Sequence, residues 1–95
     1  MELSKFRKQL DEICRENNVA MLGVFGSVAR GEDTEESDID LLVKLNAPIG
    51  FVDFIRLEDK FEHLLGRKVD LATENAINPI IRKKILEDLT ILYES

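Results

Sequence analysis

The residues able to do chemistry gather between Val24 and Val43. An apolar run ends at Val24-Phe25, turns through Gly26-Ser27, and is followed by the acids Asp38 and Asp40. Glycine lets backbone approach a ligand closely, and a serine at the start of a helical turn offers a hydroxyl and an amide N–H where anions are favoured. Residues two apart in a strand share a face, so Asp38 and Asp40 point the same way while Ile39, Leu41 and Val43 turn to the core. The two acids are then roughly 7 Å apart, two strand steps. Like charges at that spacing need water, a counter-charge or a bridging cation. A few oxygen ligands open to water and phosphate suit Mg²⁺. Asp70 lies on the polar side of a third alternating stretch, and a neighbouring register would bring it to the same centre. For Asp38 and Asp40 alone, an exposed sheet face that happens to carry acids is an equal reading.

A different phosphate motif is excluded. Gly26 and Gly31 have the spacing that opens a P-loop, but that loop needs Lys and then Ser or Thr after the second glycine. Here Glu32 and Asp33 stand there and would repel phosphate. No G-x-G-x-x-G dinucleotide turn occurs either. Arg30 is left with two equal roles, a phosphate contact or an ion pair with the acidic loop.

The elements that must position these residues follow from periodicity. Glu2–Asn18 reads as an amphipathic helix with Leu3, Phe6, Leu10 and Ile13 on one face, stopped by Asn17-Asn18. Val19–Phe25 reads as a mostly buried strand, and Ser27–Arg30 as one helical turn that Ser27 caps. Glu32–Glu36 is expected to be a solvent-facing acidic connection. Asp38–Lys44 is the second strand and Asn46–Gly50 a loop. Phe51–Leu65 is a second long helix, with Phe51, Phe54, Leu57, Phe61 and Leu64 as a core stripe and Gly66 at its end. Arg67–Ala72 is the third strand. Asn78-Pro79 starts a helix that runs through Ile80, Ile81, Ile85 and Leu86, and Thr90–Tyr93 is an edge strand. His63 has no second His or Cys near it and reads as a solvated helix position.

The bulk numbers set limits. Ninety-five residues, 44% hydrophobic and 34% charged, fit one globular domain over 1–95. No apolar run approaches the roughly 20 residues of a membrane span, and no signal-peptide pattern opens the chain, so a cytoplasmic protein is expected. The lone Cys14 cannot form an internal disulfide and reads as core. A net charge of −6 argues against gripping nucleic acid through its phosphates. It does not bar a single nucleotide, since a bound divalent cation reverses the local field.

Gly26-Ser27-Val28-Ala29-Arg30-Gly31 followed by Ser37-Asp38-Ile39-Asp40 resembles the Gly-Ser and Asp-x-Asp signature of the DNA polymerase β-like nucleotidyltransferase superfamily. The Ala-Arg-Gly ending and the size are similar to its minimal nucleotidyltransferases, the MNT proteins, over essentially the whole chain. Asp70, in Arg67-Lys68-Val69-Asp70-Leu71, matches the family's third acid by its place after the long helix. The resemblance implies an α/β (α+β mixed) fold, a mixed sheet flanked by helices in the order α-β-α-β-α-β-α-β. It also implies ATP as substrate, Mg²⁺ as cofactor, and transfer of AMP to a hydroxyl with release of pyrophosphate. Gly26 and Ser27 would hold the outer phosphates, Asp38 and Asp40 the metal, and Asp70 a second metal and the acceptor hydroxyl. MNT proteins are commonly antitoxins whose partner is a HEPN-domain toxin, silenced by AMP transfer to a tyrosine. The alternative is an inactive binding module that neutralises its partner by occlusion.

Overall fold

The computed structural model describes residues 1–95. The alternating stretches form four strands: β1 (Val19–Phe25), β2 (Ile39–Leu45), β3 (Val69–Thr73) and β4 (Thr90–Glu94). They make one sheet in the order β3-β2-β1-β4. β1 runs antiparallel to β2 and to β4, whereas β2 and β3 are parallel. A parallel pair requires a crossover, and α3 (Phe51–Leu65) supplies it. The remaining helices are α1 (Arg7–Glu16), the short α2 (Gly26–Arg30) and α4 (Pro79–Asp88). A mixed sheet flanked by helices in alternating order is thus what the chain forms. β4 closes the sheet at its edge, as its short β-branched sequence suggested.

Register lines the apolar residues into one core. Val24 pairs with Leu41, Leu22 with Val43, Ile39 with Val69 and Leu41 with Leu71. That face packs on Leu10 and Cys14 of α1 and on Leu57, Phe61 and Leu65 of α3. Phe61 is fully buried, and truncating such a side chain to alanine costs about 3–5 kcal/mol. Burial, then the charge of Asp11, pushes the Cys14 thiol up to about 12; it is a core residue and no nucleophile at neutral pH. The opposite face carries Asp40 and Asp70. On it Leu42 is buried, as is Ile85 of α4, both apart from the main cluster. α4 packs against β1 and α2.

Several stops and starts have the expected chemistry. The Asn78 side chain accepts the Ile80 N–H at 2.9 Å and caps α4. Gly66 adopts φ +70° at the end of α3, and Asn18 adopts φ +57° just after α1. Other details differ. The first helix opens with a 3₁₀ turn at Leu3–Phe6. Ser27 does not cap α2: Phe25, extended, holds the cap position without a side-chain bond, and Ser27 lies inside the turn. Phe51 is not core but 77% exposed. It is the first residue of α3 and lines an open groove with Lys44–Ile49 and Leu71–Ala76; the buried stripe begins only at Leu57. β3 begins at Val69 rather than Arg67, because Arg67 turns away to bind the acidic loop.

Candidate active site

Pairing of β2 with β3 sets the site. Asp40 of β2 and Asp70 of β3 are register partners, on strands about 4.8 Å apart. Asp38 immediately precedes β2 and is exposed, Asp70 is exposed, and Asp40 is half-buried. On the other side of Asp40, its antiparallel partner is Phe25, so the turn leaving β1 falls beside it. Gly26 there adopts φ +72°, and a Cβ would collide with Asp40 Oδ2. Glycine is needed on both counts, backbone conformation and space. Ser27, next in the turn, is half-buried.

None of the three acids enters an ion pair. Asp40 bears the consequence. Burial first, then the carboxylates of Asp70 and Asp38, push its pKa above the ordinary value, while the Arg30 charge opposes them. Asp40 feels the charges of both other carboxylates, but as they stand no three His, Cys, Asp or Glu side chains are gathered closely enough to hold a metal ion together. The donor set nevertheless suits a hard divalent cation. It is all oxygen and lacks a cationic partner of its own, and a positive charge would remove the repulsion that burdens Asp40.

Arg30 makes the ion pair with the acidic loop, Nε to Glu32 at 3.2 Å. It also bonds through Nη1 to Asp88, the last residue of α4, at 2.7 Å. Asp88 and then Glu32 raise its pKa. These bonds use Nε and Nη1, so Nη2 keeps donors for a ligand and the two roles are compatible. Nothing near Arg30 in the sequence announces Asp88.

The acidic loop is only partly a solvent-facing connection. Glu32, Glu35 and Glu36 are exposed, but the Asp33 side chain is 5% exposed. It accepts from Arg67 Nη1 at 3.0 Å and from the N-terminal ammonium of Met1 at 3.1 Å. The Arg67 bond above all holds the Asp33 carboxyl below its usual range. Arg67 donates further to the carbonyls of Thr34 and Ser37. Sequence reasoning missed this fastening because its partners lie 34 residues apart. His63 is exposed, as expected.

Residues 6–92 match the family described as the nucleotidyltransferase domain. The chain belongs to that family. This nucleotidyltransferase is 45% identical over 84 residues to a candidate protein adenylyltransferase of Methanocaldococcus jannaschii, covering 87% of this chain and 86% of that one. It is 38% identical over 87 residues to the protein adenylyltransferase MntA of Thermococcus cleftensis, covering 92% and 85%. Among solved structures, a candidate minimal nucleotidyltransferase superposes with a TM-score of 0.78 at 35% identity, over 95% of both chains. A chain from the complex of a tri-AMPylated Shewanella oneidensis HEPN toxin with an MNT antitoxin superposes with a TM-score of 0.75 over 99% of this chain and 74% of that one. At 17% identity that last likeness is one of fold. The nucleotidyltransferase thus has the minimal form of the fold. No helix in it is long and apolar enough to cross a membrane.

Proposed function

We propose that this nucleotidyltransferase uses Mg²⁺ to transfer AMP from ATP to a hydroxyl of a partner protein, a tyrosine of a HEPN-type toxin, and so acts as its antitoxin. The observation that carries this reading is the register pair Asp40–Asp70, with Asp38 just before β2 and Gly26 against Asp40 Oδ2. Adenylyltransferase relatives that match most of the chain support the reaction. The AMPylated toxin seen with a protein of this fold supports the class of acceptor. The acidic balance of the chain fits a protein partner better than nucleic acid. The absence of long apolar helices agrees with a cytoplasmic setting.

Each residue then has a task. Gly26 and Ser27 receive the outer phosphates, and Arg30 adds positive charge through its uncommitted Nη2. Asp38 and Asp40 hold the metal, joined by Asp70. Mg²⁺ bound there would supply positive charge to neutralise the triphosphate. Asp70, exposed at the sheet edge beside Asp40, takes the proton of the acceptor hydroxyl. The hydroxyl oxygen bonds to the α-phosphorus, the bond from that phosphorus to the bridging oxygen breaks, and pyrophosphate leaves with the electron pair. Asp40 must be ionised to hold the cation, so its raised pKa makes binding improve with pH through the acid range.

Incubation with labelled ATP, Mg²⁺ and the partner tests this. Wild type labels the partner, and Asp38→Ala or Asp40→Ala abolishes labelling. Labelling that survives both substitutions refutes the site. Neutralisation undiminished in the double alanine variant replaces catalysis with occlusion.

A further inference from the structure

Asp38 is the least anchored of the three acids. It precedes β2, is exposed, and enters no ion pair, so its direction depends on the backbone to either side. A local turn holds Ser37, whose N–H donates to the Thr34 carbonyl at 3.1 Å and whose hydroxyl accepts the Thr34 N–H at 2.9 Å. Two further fastenings tie that backbone to the approach of β3. After Asp38, the Ile39 N–H donates to the Lys68 carbonyl at 2.9 Å. Before it, the Ser37 carbonyl accepts from Arg67 Nε at 3.1 Å and from Nη2 at 2.6 Å. Both come from one dipeptide, Arg67-Lys68, which leads into the strand that carries Asp70. The guanidinium also takes the Thr34 carbonyl at 2.7 Å and Asp33 Oδ2 at 3.0 Å. Its side chain is 16% exposed; the bonds to Ser37 and Asp33 are partly sheltered from competing water, and the one to Thr34 is exposed.

We propose that Arg67 is a positioning residue for Asp38, fixing through the Ser37 carbonyl where that carboxylate stands relative to Asp70. The proposal rests on reading the three acids as a metal–nucleotide site. The planar fork is what the task requires. Its nitrogens reach two carbonyls and a carboxylate from one rigid plane, whereas a lysine ammonium has three donors on a flexible stem. Lysine at this position keeps the charge opposite Asp33 and loses the simultaneous hold on Ser37 and Thr34. Asp33→Asn does the reverse, weakening the ion pair while leaving the carbonyl bonds. A mere loop fastener would respond to both changes alike. A positioning residue responds to the first.

The test titrates Mn²⁺, followed by electron paramagnetic resonance with ATP present, into wild type, Arg67→Lys and Asp33→Asn. Melting temperatures and AMP transfer are measured on the same samples. Arg67→Lys is expected to stay folded and to raise the Mn²⁺ needed for half-saturation about tenfold, the scale on which residues behind a metal ligand act. The metal requirement for transfer rises in parallel, while Asp33→Asn lowers the melting temperature and leaves half-saturation within about twofold. Unchanged Mn²⁺ binding in Arg67→Lys overturns the proposal. So does an equal shift in Asp33→Asn, which would make loop stability the cause. A wild type that binds ATP and Mn²⁺ but labels no partner refutes the proposed reaction, and the binding comparison still decides the role of Arg67. A wild type that binds neither refutes both.

Discussion

Asp33 and Asp40 are seven positions apart and meet opposite environments. Asp33 is drawn below its usual pKa by Arg67 and the N-terminal ammonium. Asp40 is pushed above it by burial and two carboxylate neighbours, with Arg30 as a distant counterweight. One acid is spent on holding the loop. The other is left without an ion-pair partner, which is costly to the fold and, under the proposed function, leaves it free for a cation. The sequence shows both as aspartates in an acidic stretch; what separates them is long-range placement.

The sharpest way to break this contrast is Asp40→Asn. Transfer is expected to fall by at least about a thousandfold, the scale of losing a group that acts on the reacting charge. Stability moves the other way. A carboxyl whose pKa is raised on folding favours the native state below its ordinary value, and that contribution is lost as pH rises through the native value. The variant therefore melts above wild type at pH 7, and the gap closes as pH falls through the raised native value and is gone below about 4. A lower melting temperature at pH 7 would mean that Asp40 has a stabilising partner after all.

Gly26→Ala is next. It places a side chain in left-handed backbone and against Asp40 Oδ2, which costs about 1–3 kcal/mol in denaturant unfolding. ATP binding is expected to weaken with it, and intact affinity would detach the glycine turn from the site. Asp33→Asn probes the paired acid. Its lowered pKa stabilises the fold above the ordinary aspartate value and is lost as pH falls through the native value. The variant is less stable at pH 7 and loses less on acidification than wild type, read from melting curves between pH 2 and 7. The smallest effect belongs to Glu35→Gln, exposed and unpaired, which stays within about 0.5 kcal/mol. A larger loss would extend the fastened loop beyond Asp33.

The sequence was most legible where local pattern and tertiary structure agree. Alternation at Ile39, Leu41 and Val43 and at Val69 and Leu71 announced two strands and placed Asp40 and Asp70 outward. Asn78-Pro79 and Gly66 marked helix ends that the structure keeps. What stayed hidden is what only distance in sequence can supply. Arg67 reaches back 34 residues to Asp33, and Arg30 reaches forward 58 to Asp88. Phe51 fitted the helical stripe by spacing, but spacing carries no information about where along a helix the covering layer begins. Ser27 failed as a cap because the turn starts one residue earlier, at Gly26, with Phe25 in the cap position and Ser27 inside the turn.

The parallel register of β2 and β3 has a consequence for how this gene tolerates change. Adding or removing one residue between Gly66 and Val69 would shift the alternation of β3 by one, sending Asp70 inward and Val69 and Leu71 to water. Loss of activity and loss of the core would arrive together. The connection Asn46–Gly50, at the far end of β2, controls no such alignment and is the place where length can vary. Indels that survive in this chain should therefore collect there, leaving the spacing of Arg67 to Asp70 intact.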